Sequence, residues 1–135
     1  MKKKSAYYSH SMRKYNSIKE EEEFEFIQKH FKGDVICPNK HLGDLGAIEP
    51  YLKVIETTCA VYATELIDYV GIGVFEECSF ALSKKIPVFV VRKDSNKNYY
   101  VLPLKSVSKI ESPTLMLFGR LITEKDSKIR RNSNP

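Results

Sequence analysis

The stretch VGIGVFEECSFALSKKIPVFVV, Val70 to Val91, decides how this chain folds. After Gly71 and Gly73, apolar residues recur at helical spacing until Pro87, and the apolar run that follows has the length and β-branched content of a buried strand. A helix feeding directly into a buried strand is the second half of a β-α-β unit. At ~100° per residue, Val74, Phe75, Cys78, Ala81 and Leu82 gather on one side of that helix. Glu76 then points away, towards solvent or a neighbouring chain. Glu77 falls at the edge of the stripe, within ~60° of Val74 and ~40° of Ala81, in the helix's first turn. There the helix dipole favours an ionised carboxylate.

Working outward, the same alternation continues towards the amino terminus. CAVYA reads as a strand, preceded by a helix through Tyr51, Leu52, Ile55 and Glu56. DVICPN is a short strand ending at Pro38. Upstream of it, Phe24, Ile27 and Phe31 mark a helix opened by Ser17 as N-cap, with Glu20 three residues on, and closed by Gly33. The acidic block Glu20 to Glu23 sits in its first turns and reads as a solvated helical start. Ala6 to Ser9 is the first strand. The order β-α-β-α-β-α-β with short connections predicts an α/β protein, a Rossmann-like (flavodoxin-like) three-layer sandwich with a mostly parallel sheet. After Arg92, DSNKN is a turn, and NYYVLPL and TLMLFGRLI form an extra C-terminal β segment, an added edge or an oligomer contact.

With 135 residues and a hydrophobic fraction of 42%, the chain can bury a core as one domain, residues 1–122. Residues 123–135 read as a basic polar tail. The net charge of +5 resides at the ends, in Lys2, Lys3, Lys4, Lys125, Lys128, Arg130 and Arg131. No nucleic-acid-binding signature accompanies it, so direct nucleic-acid binding is not expected. No run approaches a membrane span, and MKKKSAYYSH lacks the apolar core of a signal peptide. Cys37, Cys59 and Cys78, odd in number and in apolar contexts, read as buried free thiols of a cytoplasmic protein.

Ligands of open α/β sheets bind at the carboxyl ends of the strands. Three loops there carry suitable groups: SHSMR (Ser9, His10, Ser11, Arg13), NKHLGDLGAIE (Asp44, Glu49) and TELIDYVGIG, whose Gly71 and Gly73 allow close approach of backbone to a ligand. The last is neither G-x-G-x-x-G nor a Walker loop, so a dinucleotide is not expected. Cys37 and His41 lie four apart without a second ligand pair, so no metal is expected. Tyr99 and Tyr100 read as edge-packing strand residues.

The pattern G-x-x-x-E-x-x-x-A-x-x-x-x-x-P, here Gly73, Glu77, Ala81 and Pro87, resembles the nucleoside 2-deoxyribosyltransferase superfamily. Its nearest branch is the 2′-deoxynucleoside 5′-phosphate N-hydrolases, whose G-V-G-Y-E-L-G-R-A is similar to GVFEECSFA. Their Y-x-x-G-S-x-R resembles Tyr7 to Arg13, with His10 in place of the glycine. The resemblance covers Ala6 to Arg92 and implies cleavage or transfer of the N-glycosidic bond of a (deoxy)nucleoside or its 5′-monophosphate. It implies Glu77 as nucleophile, Tyr7 orienting it, and Ser11 and Arg13 on the phosphate. Glu49, or failing it Asp44, would protonate the base or hold the sugar. It further implies no cofactor and a homodimer or larger assembly, for which Thr114 to Ile122 could supply the interface. Gly71 stands where relatives have a polar or acidic residue, and Cys59 where the third strand usually opens on aspartate. Those departures favour the alternative, a non-catalytic nucleotide-binding or sensing module.

Overall fold

The first strand, β1 (Ser5–Ser9), is buried along its whole length and lies between two parallel neighbours. They are β2 (Asp34–Ile36) and β3 (Ala60–Thr64), and β3 pairs in turn with parallel β5 (Val88–Lys93). Such strands are covered on both faces, so their central residues read as apolar or aromatic. The computed structural model describes residues 4–111 and 117–126.

Among the described residues, four helices and a 3-10 turn, Met12–Lys14, connect and cover these strands. Helix α1 (Ile18–Phe31) starts where Ser17 Oγ accepts from the Glu20 amide, and ends at Lys32 in the left-handed region. Helices α2 (Pro38–His41) and α3 (Ile48–Glu56) follow β2; α2 lies within a stretch expected to be loop. Helix α4 (Ile72–Ser83) begins directly from β4 (Val70–Gly71), a two-residue strand where a loop was expected.

Alternation along β1 divides the core. Tyr7 joins Val61, Ala63, Val74, Cys78 and Ala81 under α3 and α4, while Tyr8 joins Ala6, Ile27, Val35 and Tyr62 under α1. Helices therefore cover both faces, consistent with a Rossmann-like α/β fold.

The sheet is mixed, however, and the expectation of a mostly parallel sheet is corrected. Its order is β2-β1-β3-β5-β6-β7-β4, with β6 (Tyr99–Glu111) and β7 (Leu117–Thr123) completing it. The pairings β5–β6, β6–β7 and β4–β7 are all antiparallel. The cause is local: a tight turn, in which Asp94 Oδ1 accepts from the Asn96 and Asn98 amides, returns the chain beside β5. The C-terminal β segment thus extends the sheet beyond β5, with β4 at the edge. At Leu104 to Ser106 a bulge shifts the register, and β6 passes from pairing with β5 to pairing with β7.

Beyond β7, Asp126 accepts from Arg92 Nη1 and Nη2 at 3.0 Å, so the expected tail is anchored at its start. Residues 127–135, and part of the Thr114 to Ile122 run, lie outside the described residues. All three cysteines are free; Cys37 and Cys78 are buried, but Cys59 is exposed. Among the described residues no helix is long and apolar enough to cross a membrane.

Candidate active site

After β1 the chain passes to the α1 face, and after β3 it passes to the α4 face. The gap between these two strand ends is where an open α/β sheet leaves a crevice. Tyr7 and Ser9, alternate residues of β1, both point to the α4 side of it. Helix α4 buries Val74, Glu77, Cys78 and Ala81, which places the Glu77 carboxylate against them.

Tyr7 Oη donates to Glu77 Oε2 at 2.5 Å, and Ser9 Oγ donates to Glu77 Oε1 at 2.7 Å. Glu77 is 7% exposed and has no cationic partner among the described residues. Burial dominates its acidity. It pushes the carboxyl up to about 7, with a further push from Glu76 and an opposing pull from the two hydroxyl donors. The expectation of a first-turn position is corrected: Glu77 is the sixth residue of α4, whose first turn holds no acidic group. The dipole weakens beyond the first turn, so the hydroxyls of Tyr7 and Ser9 are the groups that favour the ionised form. Glu76 is half-buried, not fully turned to solvent.

Two tyrosines that sequence reasoning missed belong to this neighbourhood. Burial of Tyr15 and the charge of Glu77 raise its hydroxyl to about 12. Tyr51, whose ring oxygen donates to the Gly43 carbonyl and accepts from the Leu45 amide, acts electrostatically on both Tyr7 and Tyr15. Nothing in their local spacing marks them out; both arrive from loops or helix starts at the strand ends.

Gly71 is the N-cap of α4 and Gly73 its second residue, and a methyl group at either would meet no atom within 4 Å. Space above the helix start is therefore open. Ser11 caps the 3-10 turn, its Oγ accepting from the Arg13 amide at 3.2 Å, and the Arg13 side chain is exposed. Asp44 accepts from the Gly46 amide in an exposed turn, and Glu49 stands exposed in the first turn of α3. Neither is hydrogen-bonded to the Glu77 cluster.

His10 is turned away from that cluster. Its ring stacks on Tyr8 at 3.7 Å and Nε2 lies 2.6 Å from Glu20 Oε2, on the α1 face. Comparison with known protein families, with curated proteins and with solved structures finds no match. The arrangement must therefore be read from its own chemistry.

The acidic block contributes more than expected. Glu21 and Glu22 are exposed, but Glu20 and Glu23 are buried, which corrects the reading of a solvated helical start. Glu23 accepts from Tyr8 Oη at 2.5 Å and from Lys14 Nζ at 3.0 Å. Lys14, itself buried, also donates to Thr64 Oγ1 and the Glu65 carbonyl. A signal was present: Glu20 and Glu23 share the stripe of Phe24, Ile27 and Phe31. A cleft of about 580 Å³ opens between the start of α1 and the ends of β5 and β7, lined by Lys19, Glu23, Glu65, Arg92 and Arg120 among others. Glu77 does not line it.

Proposed function

We propose that this chain cleaves or transfers the N-glycosidic bond of a nucleoside or nucleoside 5′-monophosphate, with Glu77 as nucleophile. One observation carries the reading: a buried carboxylate without a cation, both of whose oxygens are oriented by hydroxyls from a strand ending at the crevice. The parallel half of the sheet, in the flavodoxin-like order β2-β1-β3-β5, supports the reading, since such folds bind ligands at the carboxyl ends of their strands.

Attack by Glu77 on the anomeric carbon would expel the base and leave a glycosyl ester, by the logic of a retaining glycosidase. Each carboxylate oxygen keeps a second lone pair after accepting one hydrogen bond, so Tyr7 and Ser9 position the nucleophile without blocking it. Ser11 and the exposed Arg13, on the turn that follows β1, suit a 5′-phosphate. Glu49, or Asp44, would assist the departing base once a substrate draws its loop over the crevice. Water completes hydrolysis; a second base completes transfer. A neighbouring copy of the chain, in a homodimer or larger assembly, would cover the open strand ends.

The near-complete burial of Glu77 favours a second reading, a nucleotide-binding or sensing module that does not turn over. Incubation with each deoxynucleoside monophosphate separates the two. Free base released by wild type and lost in Glu77→Ala supports catalysis; release that survives in Glu77→Ala refutes it. Binding without release supports the sensor.

A further inference from the structure

Across β1 from Glu77, ligand atoms of His10, Glu20 and Cys37 converge, one from each residue and all within 4.8 Å of one another. They come from the loop after β1, the first turn of α1 and the residue before α2, so their spacing in sequence conceals them. All three residues are buried. In the tautomer that carries its proton on Nδ1, His10 donates to the Tyr8 carbonyl 3.1 Å away and leaves Nε2 free to bind a metal. The Nε2 lone pair then meets a carboxylate oxygen at 2.6 Å. Two lone pairs so close require a cation between them, either a proton or a metal ion.

We infer that His10, Glu20 and Cys37 form a site for a divalent transition ion of the zinc class. Imidazole nitrogen, carboxylate oxygen and thiolate sulfur are all ordinary zinc ligands. Zinc bonds of about 2.0–2.3 Å place tetrahedral ligands roughly 3.3–3.8 Å apart. His10 and Glu20 need open, and Cys37 close, by only about 1 Å to reach that geometry.

The surroundings already have the form of an outer shell. The Tyr8 carbonyl favours that tautomer of His10 and the stacked Tyr8 ring fixes its plane. Asn39 Oδ1 accepts from the Cys37 thiol at 3.2 Å, and the fourth position would be open to water.

Charge balance also favours exchange. Without metal, one proton sits between His10 and Glu20 and one on Cys37. A divalent ion replaces both, so the buried cluster keeps its net charge and incurs no new desolvation of unbalanced charge. Lys40 Nζ, 3.9 Å from Glu20 Oε1, opposes the ion, but its side chain is 36% exposed and can turn to solvent. The bound ion would clamp the end of β1, the start of α1 and the turn into α2.

The test uses the intact chain, stripped with a chelator and titrated with zinc in weak buffer and with cobalt(II). The site predicts one zinc per chain, two protons released per zinc, and a thiolate-to-cobalt charge-transfer band. Cys37→Ser removes the band and weakens zinc binding about tenfold or more, whereas Cys59→Ser, at the exposed thiol, leaves both unchanged. Zinc uptake well below one per chain overturns the proposal. So does a wild-type cobalt spectrum without the thiolate band, which needs no variant to fold, or a band that Cys59→Ser abolishes.

Discussion

Tyr7 and Tyr8 are neighbours on one strand, and each donates a 2.5 Å hydrogen bond to a buried glutamate, on opposite faces of the sheet. The difference lies in what else touches the carboxylate. Glu23 has the Lys14 ammonium 3.0 Å away, and that ammonium is itself held by Thr64 and the Glu65 carbonyl. Among the described residues, Glu77 has only hydroxyl donors and a second glutamate beside it. A buried carboxylate with a matched cation is held in place by it and serves structure. One without a cation is poised between charge states and available to react.

The largest test of this contrast is functional. Glu77→Ala should lower base release by about 10³-fold or more, while Glu23→Gln leaves the folded protein's turnover within about a fewfold, since the residue it alters is not in contact with the reacting atoms. Equal losses in both variants would erase the distinction.

Stability should respond in the opposite order. Lys14→Met strands the Glu23 charge, and denaturant titration should show a loss of about 3–5 kcal/mol. Adding Glu23→Gln to it should restore a substantial part. A cost below 1 kcal/mol for Lys14→Met alone would mean that the pair is not a matched one.

The third effect follows from the sign of the Glu77 shift. Its carboxyl is raised from 4.5 to about 7, so the folded state holds the proton more tightly than the unfolded chain does. This contribution to stability is full below pH 4.5 and is lost as pH rises to about 7. Glu77→Gln removes the titration, and Ser9 can reverse its hydroxyl to accept from the new amide. The variant should gain on wild type between pH 5 and 8 by at most about 3 kcal/mol, measured by melts across that range. Base release by wild type should rise with pH through about 7, as ionised Glu77 accumulates.

The smallest effect belongs to Tyr7→Phe. It deletes a donor that favours the charged form, so the rising limb of the pH–rate profile should move to higher pH. The change is worth about 1.5–3 kcal/mol. An unmoved limb would show that Tyr7 does not hold the nucleophile.

The same contrast explains how far the sequence could be read. Glu77 was legible in part, since helical periodicity sets it at the edge of the stripe of Val74, Cys78 and Ala81. Its role and its link to Tyr7 were implied only by the family resemblance, and its contact with Ser9 was not foreseen. Glu23 was not, because its partner Lys14 lies on an irregular turn whose direction no periodicity dictates. His10 read as a candidate ligand group from its place after β1; the stacking with Tyr8 that turns it away depends on α1 packing across the sheet. The parallel core was visible in the order of elements. The antiparallel half was not, since the two-residue β4 is too short to carry a pattern and its partner β7 lies far along the chain.

That last pairing has a consequence for synthesis. Phe75 of α4 packs on Gly119 of β7 so closely that a methyl group there would stand 2.4 Å from the ring. The start of the helix that carries Glu77 is thus seated on residues made more than forty positions later. A nascent chain emerging from the ribosome can complete β1, β3 and β5 in order, but the seat of α4 waits for β7. The helix that carries the candidate nucleophile is fully seated only after β7 has been translated.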